Sequence, residues 1–411
     1  MKIDNRKDGV VNFGKYTVTD LVEKYGSPLY LYDEVTLRER CKEIKNLCSL
    51  DNFYVRYSAK ANTSIALLQI IREEGILVDA MSTGEISLEM KAGYAAEDIL
   101  FVSNNVSEAT FREIIRLGVK VCLDSTMQLE TYCSMNPGSE VCLRLNIGSG
   151  DGHHAKTVTA GKVKFGIEPS LLECAHEIAA KYNVKITGLM VHIGSLFLKS
   201  NTFHKTAMQL LEYAVAYPDI NFVDFGGGFG IPYHREKEKK FPMKEYGVEF
   251  TAMLENWMVE HGRKVDFYIE PGRFIVGECG ICITQVHSVK INSGIKFIGT
   301  DLGTNLLIRP ELYGSYHEIV NASREEGPLE KVTVVGNICE SGDVLVKDIM
   351  LPEISKDDLL IVRDTGAYGY SMASNYNSLP RPTELLLQKD GEIKVIRHKE
   401  SYDDLARNQV I

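Results

Sequence analysis

Short apolar runs alternate with amphipathic stretches along the first two thirds of the chain. The apolar residues Ile65, Leu67, Leu68 and Ile71 recur at the spacing of one helix face, and Thr83 can cap the first turn of the next helix. The predicted helices span 63–74, 83–92, 108–117 and 169–181. The predicted strands between them span 52–58, 76–80, 98–103, 119–124, 140–146, 185–192, 220–225 and 266–270.

Alternation of strands and helices predicts an α/β fold with a parallel sheet. The number of units suggests a closed (β/α)8 barrel over residues 28–273, with an open doubly wound sheet as the alternative. Strand-like runs then follow one another, so a second, mainly β domain (a sandwich or barrel) is expected over 274–411, completed by the N-terminal segment 1–27. Its predicted strands span 280–289, 295–300, 331–336, 358–362, 384–388 and 393–397.

Composition narrows the possible partners. The chain has 44% hydrophobic and 25% charged residues, as soluble globular proteins do. A formal net charge of −10 argues against nucleic acid or an anionic membrane surface as the main partner. The first residues lack the apolar stretch of a signal peptide, and no later run is long enough to span a bilayer. We therefore expect a cytoplasmic protein.

The cysteines and the histidine pair do not predict a metal site. Nine scattered cysteines, an odd number, indicate mostly buried thiols in a reducing compartment. Cys279 and Cys282 have the spacing of a redox or half-zinc motif, but strand-like flanks favour two strand cysteines. His153 and His154 lack further ligands at suitable spacing, so no metal is predicted.

Lysine and glycine residues follow two of the predicted strands, at the end where the active sites of such barrels lie. Lys60 comes directly after the first strand and could form a covalent Schiff base if burial or a nearby cation frees its amine. Gly226, Gly227 and Gly228 follow the seventh strand and could offer free N–H groups to an anion. The triplet does not fit the dinucleotide fingerprint, because Ile231 occupies the position of the last glycine.

Other polar residues crowd the same strand ends. Ser195 and Gly272 could add donors to the same anion. His192 could be a core histidine or could stack on a cofactor ring. Glu270 could lie beside a pyridine nitrogen and keep it protonated, which strengthens the ring as an electron sink.

Motifs in a fixed order resemble the alanine racemase-like (fold type III) pyridoxal phosphate enzymes, and within them the diaminopimelate decarboxylases. The stretch 374–378 favours this group in particular. The motifs lie at 57–62, 192–195, 226–230, 270–273, 308–313, 339–343 and 366–369. The resemblance implies decarboxylation of meso-2,6-diaminopimelate to L-lysine, the last step of lysine biosynthesis, with pyridoxal 5'-phosphate as cofactor.

The resemblance also implies a role for each candidate residue. Lys60 would hold the cofactor covalently, His192 would stack on its ring, Glu270 would pair with its pyridine nitrogen, and Cys339 would donate a proton. The expected contacts of the phosphate and the rest of the cofactor are Ser195, Gly226, Gly227, Gly228, Gly272, Arg273 and Tyr368. The residues expected at the substrate's far end are Arg273, Arg309, Tyr313, Glu340 and Tyr368.

The same resemblance implies a homodimer with composite active sites, because the loop 339–343 and Tyr368 would reach into the partner's site. Two positions depart from the family pattern: Leu379 stands where an arginine is common, and Leu196 where a glutamine is common. Decarboxylation of another basic amino acid (ornithine, arginine or carboxynorspermidine) remains the alternative. A racemase is disfavoured by Glu270, and a non-catalytic regulatory homologue is a distant possibility.

Overall fold

The computed structural model describes residues 1, 6–7, 9–148, 150–152 and 154–410. The chain divides into two compact units. The barrel unit comprises Glu39–Pro232 and Lys239–Ile275, and the β unit comprises Met1–Arg38, Tyr233–Glu238 and Val276–Ile411. His153, half of the histidine pair considered above, lies outside the described residues.

Eight parallel strands form a closed barrel, which confirms the predicted barrel over the open sheet. Each strand pairs with its neighbours in chain order, and the first closes on the eighth through Tyr54 opposite Tyr268. Strands buried in this way are expected to be rich in apolar residues. In chain order they are Phe53–Ser58, Leu77–Ala80, Ile99–Val102, Lys120–Leu123, Glu140–Arg144, Lys185–Met190, Phe222–Asp224 and Asp266–Ile269.

Helices follow the barrel strands, and the first residues of one of them differ from the predicted N-cap at Thr83. Ser82, not Thr83, caps the helix Thr83–Ala92, because Ser82 has an extended backbone and its side chain accepts a hydrogen bond from Glu85 N. The helices that include barrel-unit residues are Glu34–Lys45, Ile65–Glu73, Thr83–Ala92, Glu108–Leu117, Thr126–Met135, Leu172–Lys181, Asn201–Val215, Met243–His261 and Arg273–Val276. Short 3-10 turns occur at Ala59–Ala61, Ala96–Asp98, Ala155–Thr157 and Pro169–Leu171, and two short strands, Asp151–Gly152 and Gly194–Ser195, pair with each other.

The β unit is built on a nine-stranded mixed sheet, as the predicted mainly β domain requires. The strand Leu29–Asp33, which falls in the range predicted for the barrel domain, runs antiparallel to Gly280–Asn292 and parallel to Thr383–Leu387. From the predicted N-terminal segment 1–27, Val11, Phe13 and Leu21 belong to the buried core of this unit. The other strands of the sheet are Ile295–Thr300, Ile319–Asn321, Leu329–Val335, Val344–Pro352, Leu359–Val362 and Ile393–Arg397. The strands Arg6–Lys7, Val10–Phe13 and Tyr16–Thr17 form a separate small sheet, and the helices are Val18–Tyr25, Arg309–Tyr313 and Tyr402–Ala406, with 3-10 turns at Tyr370–Met372 and Tyr376–Ser378.

None of the nine cysteines forms a disulfide, and the exposed ones are Cys174 and Cys339. Cys282 lies within the strand Gly280–Asn292 and Cys279 directly precedes it, so neither residue belongs to a disulfide. In the described part of the chain, none of the helices combines the length and the apolar character needed to cross a membrane.

Candidate active site

Lys60 lies on a rigid turn directly after the first barrel strand. It is the central residue of the 3-10 turn Ala59–Ala61, and its side chain is half-buried. The hydroxyl of Tyr57 donates to Asn62 O at 2.9 Å, and Asn62 Oδ1 accepts from Ser64 N at 3.0 Å. These bonds fix the backbone that follows Lys60, so its amine enters the site from a defined position.

Two glycines allow the neighbouring strand ends to approach the Lys60 turn. A Cβ atom on Gly227 would lie 1.9 Å from the carbonyl oxygen of Glu270, and one on Gly272 would lie 3.1 Å from the Cβ of Ala61. The first distance excludes any side chain at residue 227 without movement of the backbone. The glycine cluster therefore serves close packing of the seventh and eighth strand ends as well as any approach of a ligand.

Two of the three backbone N–H groups in the glycine loop, residues 226–228, already donate hydrogen bonds within the protein. Gly226 N donates to Asp224 Oδ1 at 2.9 Å, and Gly227 N donates to His192 Nδ1 at 3.1 Å. Only Gly228 N has no acceptor among the described residues. The prediction that all three N–H groups are free is thus wrong for Gly226 and Gly227, because side chains at the neighbouring strand ends reach them.

His192 is held as a neutral imidazole. Its pKa is lowered well below the usual value, first by burial and then by the charges of Lys60 and Arg144. Because Nδ1 accepts the N–H of Gly227, the neutral ring carries its proton on Nε2. A neutral, oriented ring is compatible with stacking on a cofactor.

Glu270 presents a buried carboxyl group with unused hydrogen-bonding capacity. Its Oε1 has no hydrogen-bond partner among the described residues, while its backbone N donates to Gly226 O at 2.9 Å. Burial, followed by the charges of Asp224 and Asp79, raises its pKa well above the usual range, and Lys60 opposes this shift. Glu270 therefore holds a proton and can share it with a basic nitrogen placed beside it.

A cluster of acidic side chains lies next to Glu270, on the second strand and the helix that follows it. Burial raises the pKa of Asp79 to about 7, although Lys60 lowers it. The hydroxyl of Ser58 lies 2.9 Å from Asp79 Oδ2 and 3.0 Å from Glu270 O, so it can donate to either. One turn apart on the helix, Glu85 accepts the N–H of Met81 at 2.6 Å, and Glu89 is fully buried.

Ser195 and Arg273 meet at the rim of the barrel. The Nη2 atom of Arg273 donates to Ser195 Oγ at 3.0 Å. Arg273 begins the short helix after the eighth strand, and Ser195 lies on the short strand after the sixth. The predicted site residues of the barrel, from Lys60 to Arg273, thus lie at the carboxyl ends of the strands.

The β unit assembles a second group of predicted residues around Arg309. Arg309 is buried, and its Nη2 donates to Ser315 Oγ at 3.1 Å. Its guanidinium lies 5.3 Å from the ring centroid of Tyr233, 6.0 Å from that of Tyr313 and 5.9 Å from that of Tyr368. An arginine enclosed by aromatic rings is held in place as a charged group.

The loop 339–343 in the β unit is anchored at one end and exposed at the other. Asp343 is buried, and its carboxylate accepts the N–H groups of Thr304 at 2.7 Å and Ile338 at 2.9 Å. Cys339 and Glu340 are exposed. The anchored carboxylate thus fixes the loop that presents the thiol and the carboxylate to solvent.

The stretch 374–378 contacts this loop directly. Asn377 Nδ2 lies 3.1 Å from Cys339 Sγ, and the hydroxyl of Tyr376 donates to Glu340. The hydrogen bond with Glu340 raises the pKa of Tyr376 to about 12. In the sequence this stretch was only a marker of the family, whereas in the structure it positions two predicted site residues.

Sequence reasoning missed the charged side chains that support the barrel site. Arg56 lies in the middle of a buried strand and pairs with Asp224 at 2.7 Å, and Glu89 lies on the buried face of its helix. The available signal was a charged residue within an otherwise apolar run, which is rare unless it is paired or functional.

The comparisons with known proteins agree with one another. A family model for the pyridoxal binding domain of pyridoxal-dependent decarboxylases matches residues 34–277. The diaminopimelate decarboxylase of Methanothermobacter thermautotrophicus is 36% identical over 418 residues, which cover 99% of this chain and 97% of that protein. The diaminopimelate decarboxylase of Escherichia coli K12 is 34% identical over 408 residues, covering 95% of this chain and 96% of that one. The crystal structure of the Helicobacter pylori diaminopimelate decarboxylase complexed with L-lysine aligns with a TM-score of 0.87 at 29% identity, covering 95% of this chain and 98% of that one.

The chain belongs to the diaminopimelate decarboxylase family. The cofactor of this family is pyridoxal 5'-phosphate, and the barrel unit fits it in two respects. Glu270 offers a buried carboxyl oxygen without a partner among the described residues, suited to a ring nitrogen. The glycine loop has room only for backbone, as a Cβ on Gly226 would lie 2.2 Å from Val191 O, and it leaves the N–H of Gly228 for an anion.

The buried acid Glu89 predicts a pH-dependent stability. Burial, together with Asp79 and Glu85, raises its pKa to about 9, against about 4.3 in an unfolded chain. Its contribution to stability is therefore complete below the unfolded pKa and is lost as the pH rises toward the folded pKa. Between pH 5 and pH 9, we expect the cofactor-free protein to lose more free energy of unfolding than its Glu89→Gln variant, by on the order of a few kcal/mol.

Urea unfolding of both proteins at a series of pH values measures this difference. The matched control is Glu113→Gln, which changes an exposed acid of the neighbouring helix and should follow the parent. Equal pH slopes for the parent and Glu89→Gln would show that Glu89 does not hold a proton in the folded state.

Proposed function

We propose that this chain removes one carboxyl group of meso-2,6-diaminopimelate as CO2 and releases L-lysine, with pyridoxal 5'-phosphate as cofactor. The observation that carries the proposal is the pair formed by Lys60 and Glu270 at the ends of adjacent barrel strands. Lys60 supplies an amine on a fixed turn, and its charge acts on the buried, protonated carboxyl of Glu270. These are the two groups that an amino-acid decarboxylase using this cofactor needs on either side of the ring.

The residues of the barrel unit would divide the work of holding the cofactor. Lys60 would hold it covalently through Nζ. The neutral ring of His192 would stack on it, and the loop around Gly228, with Ser195 and Arg273, would hold the phosphate. The cofactor supplies an electron sink for the charge left when CO2 departs.

Two groups in the proposed mechanism handle protons. Glu270 keeps a proton at the pyridine nitrogen, and the raised pKa of its buried carboxyl makes that proton available without uptake from solvent. Cys339 Sγ, or Lys60 Nζ, returns a proton to the carbon that lost the carboxylate. Exclusion of water from this carbon favours departure of the carboxylate.

The far end of diaminopimelate carries a carboxylate and an ammonium, which require opposite partners. Arg309, enclosed by its tyrosine rings, and Arg273 suit the carboxylate, since a guanidinium forms paired hydrogen bonds to it. Tyr313 and Tyr368 line the guanidinium of Arg309, and Glu340 suits the ammonium. Substrates such as ornithine lack the far carboxylate, so they leave these arginines without an anion.

We also propose a homodimer in which Cys339 and Glu340 of one chain complete the barrel site of the other, whereas Tyr368 stays beside Arg309 of its own chain. The support is the exposure of Cys339 and Glu340 on a loop that Asp343 holds rigidly. A thiol fixed in an exposed position is suited to a site formed with a second molecule.

The substrate assignment predicts CO2 and L-lysine from meso-diaminopimelate by the protein loaded with cofactor. Ornithine, arginine and carboxynorspermidine should react at least about a hundredfold more slowly, because the buried arginines at the far end are then unpaired. The measurement is CO2 release with quantification of the product. Lys60→Ala is the blank, and Lys91→Ala, which changes an exposed lysine, is the matched control. Faster turnover of another of these amino acids would contradict the substrate assignment.

The composite site predicts recovery of activity when two inactive variants are mixed. A dimer of one Lys60→Ala chain and one Cys339→Ala chain contains one intact site if Cys339 serves the partner. Random exchange of subunits should therefore restore about a quarter of the wild-type activity. Differently tagged chains confirm that mixed dimers form. Mixed dimers that stay inactive would show that Cys339 does not serve the partner's barrel.

A further inference from the structure

Arg56 is a fully buried arginine in the first barrel strand. Its side chain is 2% exposed. Its guanidinium lies 3.6 Å from the ring centroid of Tyr268 and 5.4 Å from that of Phe222, which belong to the eighth and seventh strands. The cation is therefore held between two aromatic rings and away from water.

Asp224 receives this cation and fixes the glycine loop at the same time. Its Oδ2 accepts from Arg56 Nη1 at 2.7 Å, and its Oδ1 accepts from Gly226 N at 2.9 Å. Asp224 is 0% exposed. The two oxygens of one carboxylate thus connect a buried arginine to the first residue of the loop proposed to hold phosphate.

Gly226 has little freedom to move independently of Asp224. Its φ is +70°, and a Cβ at this position would lie 2.2 Å from Val191 O. Its carbonyl accepts the N–H of Glu270 at 2.9 Å. The orientation of Gly226 sets the direction in which the backbone continues to Gly228, whose N–H has no acceptor among the described residues.

The charge of Asp224 depends on Arg56. Burial raises the pKa of Asp224, whereas Arg56 and the N–H of Gly226 lower it. Without Arg56, the buried carboxylate would lose its cation and would favour the protonated form. A neutral carboxyl accepts a weaker hydrogen bond from Gly226 than a carboxylate does.

We propose that Arg56 and Asp224 are positioning residues for the cofactor's phosphate group, and that their ion pair acts through Gly226 on the loop 226–228. This inference rests on the proposed cofactor site and adds residues that would not themselves touch the cofactor. Such a role predicts a selective effect. Loss of the pair weakens binding of the phosphate and leaves the contacts of the pyridine ring in place.

The test compares the affinities for pyridoxal phosphate and for pyridoxal, which lacks the phosphate. The quantity measured is the dissociation constant of pyridoxal divided by that of pyridoxal phosphate. Both constants are obtained by absorbance titration of the cofactor-free protein, and the ratio falls when binding of the phosphate is weakened. In Arg56→Met, the affinity for pyridoxal phosphate should fall roughly tenfold to a hundredfold, with pyridoxal affinity nearly unchanged, because a charge-assisted hydrogen bond to the loop is weakened. Arg56→Lys keeps the charge but loses the stacked guanidinium, so its ratio should lie between that of Arg56→Met and that of the wild-type protein.

A control separates this effect from the general cost of breaking a buried ion pair. Arg397→Met removes the cation from Glu384, a fully buried carboxylate of the β unit. It should lower thermal stability and leave the ratio unchanged. If Arg56→Met does not fold, Asp224→Asn takes its place, because it keeps the size of the side chain and removes the charge. The same fall in the ratio is expected for this variant.

The outcomes also distinguish this inference from the proposed function. A ratio within twofold of wild type in folded Arg56→Met or Asp224→Asn would overturn the positioning role and leave the cofactor site intact. An equal loss of both affinities would also overturn it, since it would indicate a general defect of the barrel. Equal affinity of the wild-type protein for pyridoxal and its phosphate would instead contradict the phosphate site itself.

Discussion

Buried carboxyl groups at the carboxyl ends of the barrel strands are the constraint on which the rest of the site depends. At Asp79, Asp224 and Glu270, burial is the largest cause of a raised pKa, and the charges of Lys60 and Arg56 only partly oppose it. A carboxylate without a cation is costly in such surroundings, so some of these groups keep their protons. The barrel closure, which brings all strand ends to one rim, therefore produces a site that already contains an amine and a protonated acid.

In each of the two units, a buried aspartate positions a loop by accepting hydrogen bonds from backbone N–H groups. Asp224 anchors the glycine loop of the barrel through the N–H of Gly226. Asp343 anchors the Cys339 loop of the β unit through the N–H groups of Thr304 and Ile338. A carboxylate that accepts backbone N–H groups holds a loop more firmly than neutral acceptors do. Both loops can then present small or reactive groups without a regular helix or strand of their own.

Strong periodicity made most of the fold predictable from the sequence. The eight barrel strands and the helices Thr83–Ala92 and Glu108–Leu117 follow the predicted ranges closely, because apolar runs and helix faces are clear there. The strand Val344–Pro352 was missed, since Lys347 and Asp348 interrupt its apolar pattern. The candidate residues of the barrel could be proposed one by one from the strand ends, whereas those of the β unit, Arg309, Tyr313, Cys339, Glu340 and Tyr368, came only from the family resemblance. The pairing of Arg56 with Asp224 was not predictable, because the two residues are 168 positions apart and only barrel closure brings them together.

The central claim is that Lys60 holds the cofactor, and covalent labelling tests it most directly. The protein loaded with pyridoxal phosphate is treated with borohydride, digested and analysed by mass spectrometry. We expect one pyridoxyl phosphate group per chain, attached to Nζ of Lys60, and no label in the Lys60→Ala variant. A label on another lysine, or an unlabelled protein that still decarboxylates its substrate, would contradict the account.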